Sequence, residues 1–260
     1  MPEEITNSVV IPVFNEKETL GETYKRLTAV MEGLNRGYEV IFVDDGSRDR
    51  SFEFLKGLCR RDRRIKIVKF SKNFGHHIAL TAGIDCASGE AVILMDGDLQ
   101  DPPEEIPKLY KKFKEGYDIV YARRKQGSDT FSKRLFSKLF YMVFRVSTGL
   151  NIPPDTGIFR VVSRRVADVL RACRERPQFI SGLISRTGFP FACVDTRREA
   201  RLKGKTKYTF FKSCRLAIGG LFSFSRIPLG AHIAKTCAGV RSEPMYTIEE
   251  KIGFDRRPSR

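Results

Sequence analysis

The sequence lacks several signatures that would assign it at once to a familiar class of protein. Its six cysteines are scattered singly with no C-x-x-C pair, so the spacing of a structural zinc site is missing. No apolar run reaches the roughly 18 residues that a bilayer-spanning helix needs, and the best candidate, 216–229, is interrupted by Arg226 and Pro228. The start of the chain has no secretory leader pattern. These absences predict reduced thiols in the cytoplasm and a chain that does not cross a membrane.

Two glycine-rich phosphate-binding motifs are also missing. The sequence contains neither G-x-G-x-x-G nor G-x-x-x-x-G-K-[ST], which disfavours both a Rossmann dinucleotide site and a P-loop. A diphosphate bound without such a loop needs a metal ion and basic side chains to balance its charge.

Charge is present in excess and is unevenly distributed. The 260 residues include 47 Lys and Arg against 31 Asp and Glu, a formal net charge of +16, and 41% are hydrophobic, as in globular proteins. Residues 1–118 carry 18 basic and 21 acidic side chains, whereas residues 119–260 carry 29 and 10. The second half therefore predicts a polyanionic partner, which the charge alone leaves open between phosphate groups, anionic lipid and nucleic acid.

The first half of the sequence alternates strand patterns with helix patterns. Short apolar runs rich in β-branched residues predict buried parallel strands, and apolar residues at helical spacing between them predict helices. The predicted strands are 8–14, 38–43, 65–70, 91–95 and 118–122. This alternation predicts βαβ units, that is, an α/β fold with a mostly parallel sheet flanked by helices on both faces.

Polar side chains follow three of these strands, as Asn15-Glu16, Asp44-Asp45 and Asp96-Gly97-Asp98. Any one cluster is also typical of a loop or a helix cap. Because the carboxyl ends of parallel strands meet at one edge of the sheet, three such clusters favour a shared ligand site. Two carboxylates in a D-x-D pattern, with the Gln100 amide nearby, are suitable ligands for Mg²⁺ or Mn²⁺.

The ordered motifs resemble a known family. VVIPVFNE at 9–16, VDDGS at 43–47, SKNFG at 71–75 and MDGDLQDPP at 95–103 are similar to those of the inverting nucleotide-sugar glycosyltransferases with the GT-A fold. Within that family the sequence resembles the branch that transfers a sugar to a polyprenyl phosphate, such as dolichyl-phosphate mannose synthases and bacterial undecaprenyl-phosphate glycosyltransferases. The later segments that agree are DTGIFRVVSRR at 155–165, REARLKGKTKY at 198–208 and FSFSRIPL at 222–229.

The resemblance implies a role for each matching position. The donor pocket is expected to contain Pro12, Asn15, Glu16, Asp44, Asp45 and Asp96, with Arg201, Lys205 and Lys207 against the diphosphate. The metal ligands implied are Asp98 and Gln100, with Asp96 sharing the ion. Asp155 falls where the family has a proposed base or sugar-orienting carboxylate, so Asp155 and Asp98 are the candidate catalytic residues. Arg123 is expected to face the acceptor phosphate.

His76 and His77 invite a catalytic or metal-binding interpretation. Adjacent residues on a helix point about 100° apart, so the two rings are not expected to share one ion. Packing or hydrogen bonding to a phosphate is the favoured prediction for both.

Two segments of the basic half have helical patterns with one apolar and one basic face, at 131–146 and 210–226. Such helices are typical of a membrane interface, and the alternative is a helix packed on its own domain with its basic face in solvent. Together with the resemblance, the pattern predicts docking on an anionic membrane surface, with acceptor-phosphate contacts at Lys133, Arg134 and Ser137.

The sequence as a whole predicts a nucleotide-sugar and metal-binding half at 1–125, an acceptor-binding half at 126–229 and an atypical, unpatterned tail at 230–260. The predicted activity is metal-dependent transfer of a sugar from a UDP- or GDP-sugar to undecaprenyl or dolichyl phosphate, by a peripheral enzyme on the cytoplasmic face of the membrane. A glycan hydroxyl as acceptor is the alternative. A nucleic-acid-binding protein is disfavoured because the basic residues lie opposite apolar stripes rather than among exposed aromatics, so no nucleic acid is predicted as a partner.

Overall fold

The computed structural model describes residues 5–124, 146, 152–173, 180–200 and 245–254, and this part of the chain is built on one sheet. Its strands are β1 (Asn7–Val13), β2 (Tyr38–Asp44), β3 (Ile65–Phe70), β4 (Ala91–Leu94), β5 (Ile119–Arg124), β6 (Thr156–Ser163), β7 (Phe191–Thr196) and β8 (Ile248–Ile252). Its helices are α1 (Lys17–Gly33), α2 (Ser51–Arg61), α3 (His76–Cys86), α4 (Ile106–Phe113), α5 (Arg164–Ala172) and α6 (Ile180–Arg186). A 3₁₀ turn, Pro103–Glu105, precedes α4.

The strand order across the sheet is β7-β5-β6-β4-β1-β2-β3-β8. Four neighbouring pairs are parallel, namely β1 with β2, β1 with β4, β2 with β3, and β5 with β7. The other three pairs, β3 with β8, β4 with β6, and β5 with β6, are antiparallel. The predicted α/β fold with a mostly parallel sheet is therefore confirmed.

Strand β6 runs opposite to β4 and β5, between which it lies. Its first residue, Thr156, consequently lies at the edge of the sheet where β4 and β5 end. The same edge receives the carboxyl ends of β1, β2 and β3, since these strands are parallel to β4. This topology brings Asp155 to the edge that carries the three polar clusters.

The sheet is covered on both faces, which explains why its central strands are mostly apolar on both sides. In β1, Val9, Ile11 and Val13 pack in one apolar cluster with residues of α1, α2 and α4. Val10 packs on the opposite face in a second cluster with residues of α3, α5 and α6. All seven residues of β1 and of β2 are buried, as expected for parallel strands between two helix layers.

The segment 230–260 was predicted to be an unpatterned tail, but part of it forms a strand. Residues 248–252 form β8, which pairs antiparallel with β3 and is itself the strand at that edge of the sheet. Tyr246 stacks on Phe70 with ring centroids 5.1 Å apart, and its hydroxyl donates to Asp85 Oδ2 at 2.7 Å. The strand was missed because it has only two apolar residues, Ile248 and Ile252, around three exposed charged ones, a composition suited to a sheet edge in solvent.

Within the described ranges, no helix is both long and apolar enough to span a bilayer. The predicted amphipathic helices lie outside the described residues, except for Val146, which is helical and 79% exposed. The boundaries at 125 and 229 stay predictions.

Candidate active site

The loops that follow β1 and β2 are hydrogen-bonded to each other. The backbone N–H of Asn15 donates to Ser47 Oγ at 3.0 Å, and the N–H of Arg48 donates to Asn15 Oδ1 at 2.8 Å. The N–H of Ser47 in turn donates to Asp44 Oδ1 at 3.1 Å. Asn15 has a left-handed backbone with φ 54°, which asparagine tolerates well. Asn15 and Asp44, two of the residues predicted to line the nucleotide-sugar pocket, are thus joined through Ser47.

Asp44 is fully buried at the end of β2, where it pairs in register with Val13 of β1. Its Oδ2 accepts no hydrogen bond from the described residues. Burial raises the pKa of Asp44 above its ordinary value, although hydrogen bonds from Ser47 oppose the rise. A buried carboxylate oxygen without a partner is costly, so an N–H donor from a ligand would be stabilised here. Pro12, one residue before Val13, is also buried.

Asp45 holds the loop at 71–75. Its Oδ1 accepts from the backbone N–H of Phe74 at 2.6 Å and its Oδ2 from that of Gly75 at 3.0 Å. Gly46 approaches this loop so closely that a Cβ there would lie 2.7 Å from the carbonyl carbon of Lys72. Asp45 is 3% exposed, and its two oxygens serve the loop that leads into α3. Its predicted contact with the nucleotide stays a prediction.

The first residue of α3, His76, contacts the D-x-D segment directly. Its Nε2 lies 2.6 Å from Asp96 Oδ1. Burial alone would lower the pKa of His76, but the charge of Asp96 outweighs it and the pKa lies above its ordinary value. Burial likewise opposes ionisation of Asp96, yet the charges of His76 and Arg124 hold the pKa of Asp96 below its ordinary value. Each partner therefore shifts the pKa of the other in the direction that favours its charged form.

His77 has the opposite character. Burial, supported by the charges of His76 and Arg160, lowers the pKa of His77 to about 4. The pKa values of the two neighbouring histidines are therefore shifted in opposite directions. The contact of His76 with Asp96 was not predicted, because residues 20 positions apart give no local signal of proximity.

Glu16 reaches the D-x-D segment across the sheet edge. A Cβ at Gly97 would lie 2.7 Å from Glu16 Oε2, so only glycine allows the carboxylate to approach this closely. The Gly97 carbonyl accepts a hydrogen bond from Thr23 Oγ1 of α1 at 2.9 Å, which ties the D-x-D segment to α1. Glu16 thus lies against the Asp96-Gly97-Asp98 segment, and Glu16, Asp96 and Asp98 are called the acidic cluster below.

The segment after Asp98 makes a tight turn. The backbone N–H of Gln100 donates to Asp98 Oδ1 at 3.1 Å, and the intervening Leu99 is buried with φ 58°. The side-chain oxygen of Gln100 accepts from Arg198 Nη2 at 2.7 Å. The amide oxygen that was predicted as a metal ligand is therefore engaged by a guanidinium in this structure.

Basic residues flank the other side of the site, at the end of β5. Arg123 Nε donates to Asp195 Oδ1 of β7 at 2.6 Å. Arg124 Nη2 donates to the buried Asp101 at 3.0 Å, and the backbone N–H of Arg124 donates to the carbonyl of Asp155 at 3.0 Å. Asp155 has φ 59° in the turn before β6. The structure thus places Asp155 beside the Arg123–Arg124 pair.

Arg160 is a residue that the sequence analysis missed. It lies in β6 with 1% exposure, and its guanidinium donates to the carbonyls of Gly157 and Ile158 and to Ser181 Oγ. The guanidinium also lies over the ring of Tyr121, 4.9 Å from its centroid. Burial lowers the pKa of Arg160. An arginine at a core position of an otherwise apolar strand was the available signal.

Several predicted site residues lie outside the described residues. These are the diphosphate contacts Arg201, Lys205 and Lys207 and the acceptor-phosphate contacts Lys133, Arg134 and Ser137.

The acidic cluster suits a metal ion that is shared with a substrate. In the part of the chain that the structure describes, no group of three His, Cys, Asp or Glu side chains has the geometry of a metal site. Asp96 and Asp98 supply two carboxylates, and Asp96 also contacts His76. Mg²⁺ is commonly held by one or two carboxylates together with substrate phosphates and water. The residues present fit such an ion.

Comparison with known proteins identifies the family of the chain. The family model described as glycosyl transferase family 2 matches residues 8–171. The glycosyltransferase YkcC of Bacillus subtilis (strain 168) is 45% identical over 230 residues, which cover 88% of this chain and 71% of that protein. The undecaprenyl-phosphate 4-deoxy-4-formamido-L-arabinose transferase of Pseudomonas aeruginosa (strain LESB58) is 36% identical over 225 residues, which cover 85% of this chain and 66% of that protein.

A solved structure supports the fold. Glucosyl-3-phosphoglycerate synthase from Mycobacterium tuberculosis, in complex with Mn²⁺, UDP-glucose and phosphoglyceric acid, has a TM-score of 0.58 at 19% sequence identity. The match covers 86% of this chain and 81% of that one. Because the family model spans more than half of the chain and YkcC is 45% identical over most of it, the chain belongs to glycosyl transferase family 2 and is a glycosyltransferase with the GT-A fold.

Proposed function

We propose that this glycosyltransferase moves a sugar from a UDP- or GDP-sugar to a polyprenyl phosphate, with inversion at the anomeric carbon. The observation that carries the proposal is the convergence of Asp44, Asp96 and Asp98 at one edge of the sheet, in a chain of this family. The relative named for transfer to undecaprenyl phosphate supports the acceptor.

The donor half of the reaction follows from the residues at the ends of β2 and β4. The buried Oδ2 of Asp44 is suited to accept an N–H from the nucleobase. A bound Mg²⁺ or Mn²⁺, held by Asp98 with Asp96 beside it, would supply positive charge where negative charge develops on the leaving diphosphate. His76 keeps Asp96 ionised and oriented. Arg201, Lys205 and Lys207 are the proposed further contacts of the diphosphate.

The acceptor half needs little proton transfer. A phosphate monoester oxygen is already anionic at pH 7, so the nucleophile requires no strong general base. Direct attack on the anomeric carbon breaks its bond to the diphosphate oxygen, and the configuration inverts without a covalent enzyme intermediate. Arg123, whose Nε pairs with Asp195 in this structure, is the proposed contact of the acceptor phosphate on this side of the site.

The location proposed for the enzyme is the cytoplasmic face of the membrane, bound peripherally. A polyprenyl phosphate presents its headgroup at the membrane surface, so the enzyme must meet it there. The excess of basic residues in 119–260 supports attraction to an anionic leaflet, at roughly 1 kcal/mol for each Lys or Arg near the surface.

The experiment that tests the proposal is reconstitution of the full chain with undecaprenyl phosphate in mixed micelles, Mn²⁺ or Mg²⁺, and a panel of radiolabelled UDP- and GDP-sugars. Formation of an acid-labile lipid-linked sugar with one donor is the expected result. Folded protein that gives no lipid-linked product with any donor, but glycosylates a soluble glycan, would refute the acceptor and favour a hydroxyl acceptor.

Substitution of Asp155 by asparagine distinguishes these two acceptors by rate. A hydroxyl acceptor needs a base, and its loss lowers kcat by about 10²–10⁴-fold. We expect a loss below about tenfold for Asp155→Asn with undecaprenyl phosphate, since that nucleophile is already ionised. Steady-state kinetics at saturating donor measure the effect, with Asp168→Asn, an exposed carboxylate of α5, as the control. A loss of 10² or more would contradict a mechanism without a base.

A further inference from the structure

A group of charged side chains next to the acidic cluster has no part in the chemistry derived above. Arg26 of α1 lies between two carboxylates, those of Glu104 in the 3₁₀ turn and Glu199 after β7. Its Nε and Nη2 donate to the two oxygens of Glu104 at 2.8 and 2.7 Å, and its Nη1 and Nη2 donate to the two oxygens of Glu199 at 3.0 and 3.1 Å. Each contact is bidentate, the geometry that arginine provides and lysine does not.

The same short segment is tied to the loop that carries Asp98. The backbone N–H of Glu199 donates to the Gln100 carbonyl at 2.9 Å, and Arg198 donates to the Gln100 side-chain oxygen at 2.7 Å. The N–H of Gln100 donates to Asp98 Oδ1 at 3.1 Å. A continuous path of hydrogen bonds therefore runs from Arg26 through Glu199 and Gln100 to Asp98.

Among the described residues, this path is what holds residues 197–200 against the Asp98 loop. Residues 197–200 are exposed and belong to no helix or strand, so packing does not hold them. The Arg26 side chain is 19% exposed, whereas Glu104 and Glu199 are 50% and 46% exposed. The guanidinium is thus the partly buried centre of the network, and the two carboxylates are its exposed arms.

We propose that Arg26 is a positioning residue, which acts through Glu199 and Gln100 to hold the Asp98 loop in the geometry that binds a divalent cation with the donor diphosphate. The inference rests on the proposed function, since it concerns the same donor site. It also reassigns Gln100 from a metal ligand to the anchor between the two segments. Groups that hydrogen-bond directly to a metal ligand change metal affinity or activity by about 10–100-fold when they are removed, so we expect an effect at the lower end of this range for Arg26, which acts through two intervening residues.

The first test compares Arg26→Ala with the unmodified protein in the presence of UDP or GDP, whichever the unmodified protein binds. We expect the half-saturating Mn²⁺ concentration to rise about tenfold, whereas the melting temperature changes by no more than about 2–4 °C because exposed ion pairs contribute little stability. Arg26→Lys should behave like Arg26→Ala, since an ammonium cannot engage two carboxylates in bidentate fashion. Lys112→Ala, which removes an ion pair to Glu115 near the end of α4, is the control and should leave Mn²⁺ binding unchanged.

Two further measurements separate positioning from a general loss of structure. Hydrogen exchange of the Glu199 amide should accelerate about tenfold in Arg26→Ala, while the amides of β1 and β2 exchange as before. The charge exchange Arg26→Glu with Glu199→Arg should restore Mn²⁺ affinity to within about threefold, because a guanidinium at position 199 can pair with carboxylates at both 26 and 104.

The outcomes distinguish the inference from the function on which it rests. If the unmodified protein binds UDP with Mn²⁺ and Arg26→Ala binds it equally well, the positioning role is wrong and the proposed function stands. If Arg26→Ala weakens Mn²⁺ binding but the charge exchange does not restore it, the pairing with Glu199 is not the cause and the inference is also wrong. If the unmodified protein shows no metal-dependent binding of either UDP or GDP, the donor chemistry itself fails.

Discussion

Asp98→Asn is expected to lower kcat by about 10³-fold while leaving the protein folded. A metal ion placed on a developing negative charge contributes several kcal/mol to the transition state, and each factor of ten corresponds to about 1.4 kcal/mol. Asparagine has nearly the same size as aspartate and keeps an Oδ1 that accepts the N–H of Gln100. The substitution therefore removes the negative charge and retains the turn.

The effect should be specific to the metal-bound donor. We expect calorimetric titration with Mn²⁺ in the presence of UDP to show at least a tenfold weaker affinity for Asp98→Asn. Asp168→Asn is a suitable control, because that carboxylate is exposed and pairs with Arg171 within α5. Its kcat and its Mn²⁺ affinity should match those of the unmodified protein.

Two results would contradict the role of Asp98. Full activity of Asp98→Asn would mean that the charge needed at the diphosphate comes from another group, with the basic residues Arg201, Lys205 and Lys207 as the first ones to examine. A variant that binds Mn²⁺ and UDP normally but turns over slowly would assign Asp98 to the sugar rather than to the metal.

The sequence predicted the donor half of the fold well, because the signals there are local. Strands β1 to β5 are apolar runs bounded by polar residues, and the helices between them have regular apolar spacing. The observed helix α3 lies between β3 and β4, where a helix was predicted. The convergence of Asn15, Asp44 and Asp96 at one edge also followed from the pattern, since parallel strands place their carboxyl ends together.

Elements after residue 150 escaped prediction for identifiable reasons. Arg160 occupies a core position of β6 and interrupts the apolar run that marks a buried strand. Strand β7 lies at the sheet edge with several partly exposed residues, and β8 contains three charged residues in succession. Edge strands need only one apolar face, so their sequences resemble loops.

It was harder to predict which residues of the site contact one another than which residues belong to the site. Both carboxylate oxygens of Asp45 accept hydrogen bonds from the backbone of Phe74 and Gly75. This pairing depends on how closely the 71–75 loop approaches Asp45, which the residue type does not reveal. The same holds for the Gln100 side chain, whose amide is compatible with a metal or with Arg198. Sequence predicts which chemical groups gather at an edge, and the packing decides which of them pair.

Glu39→Ala is expected to produce the largest loss of stability, about 3–5 kcal/mol of the free energy of unfolding. Glu39 is fully buried near the start of β2. Its Oε1 accepts from Ser8 Oγ at 2.5 Å and from the Ser88 backbone and hydroxyl at 2.6 and 2.7 Å, and its Oε2 lies 2.5 Å from Lys66 Nζ. Removing the carboxylate leaves the Lys66 ammonium, whose side chain is 14% exposed, without its counter-charge.

Urea unfolding at pH 7 measures this effect. Glu32→Ala is the matched control, because Glu32 is 57% exposed and its ion pair with Arg64 is a surface contact. Its removal should cost less than about 1 kcal/mol. The double variant Glu39→Leu with Lys66→Met should recover most of the lost stability, since a buried ion pair can often be replaced by apolar residues at little cost.

The contribution of Glu39 should also depend on pH in a defined direction. Burial alone would raise the pKa of Glu39, but hydrogen bonds from Lys66, Ser8 and Ser88 outweigh it and hold the pKa below its ordinary value. A carboxyl with a depressed pKa in the folded state stabilises the protein at pH above its unfolded pKa, about 4.3, and loses that contribution as the pH falls through the folded pKa. The difference in unfolding free energy between the unmodified protein and Glu39→Ala should therefore be constant from pH 6 to 8 and shrink below about pH 4.

The location of Glu39 in the sheet separates its effect on stability from any effect on catalysis. Ser8, Glu39 and Lys66 are each the second residue of their strand, and Ser88 precedes β4, so the network lies at the amino edge of the sheet. The acidic cluster lies at the opposite, carboxyl edge. We therefore expect Glu39→Ala to keep its kcat at temperatures where it is folded, and to inactivate at a lower temperature than the unmodified protein. A reduced kcat at 10 °C with intact near-UV circular dichroism would show that the two edges are coupled, because the central strands of the sheet would then transmit a change at one end to the other.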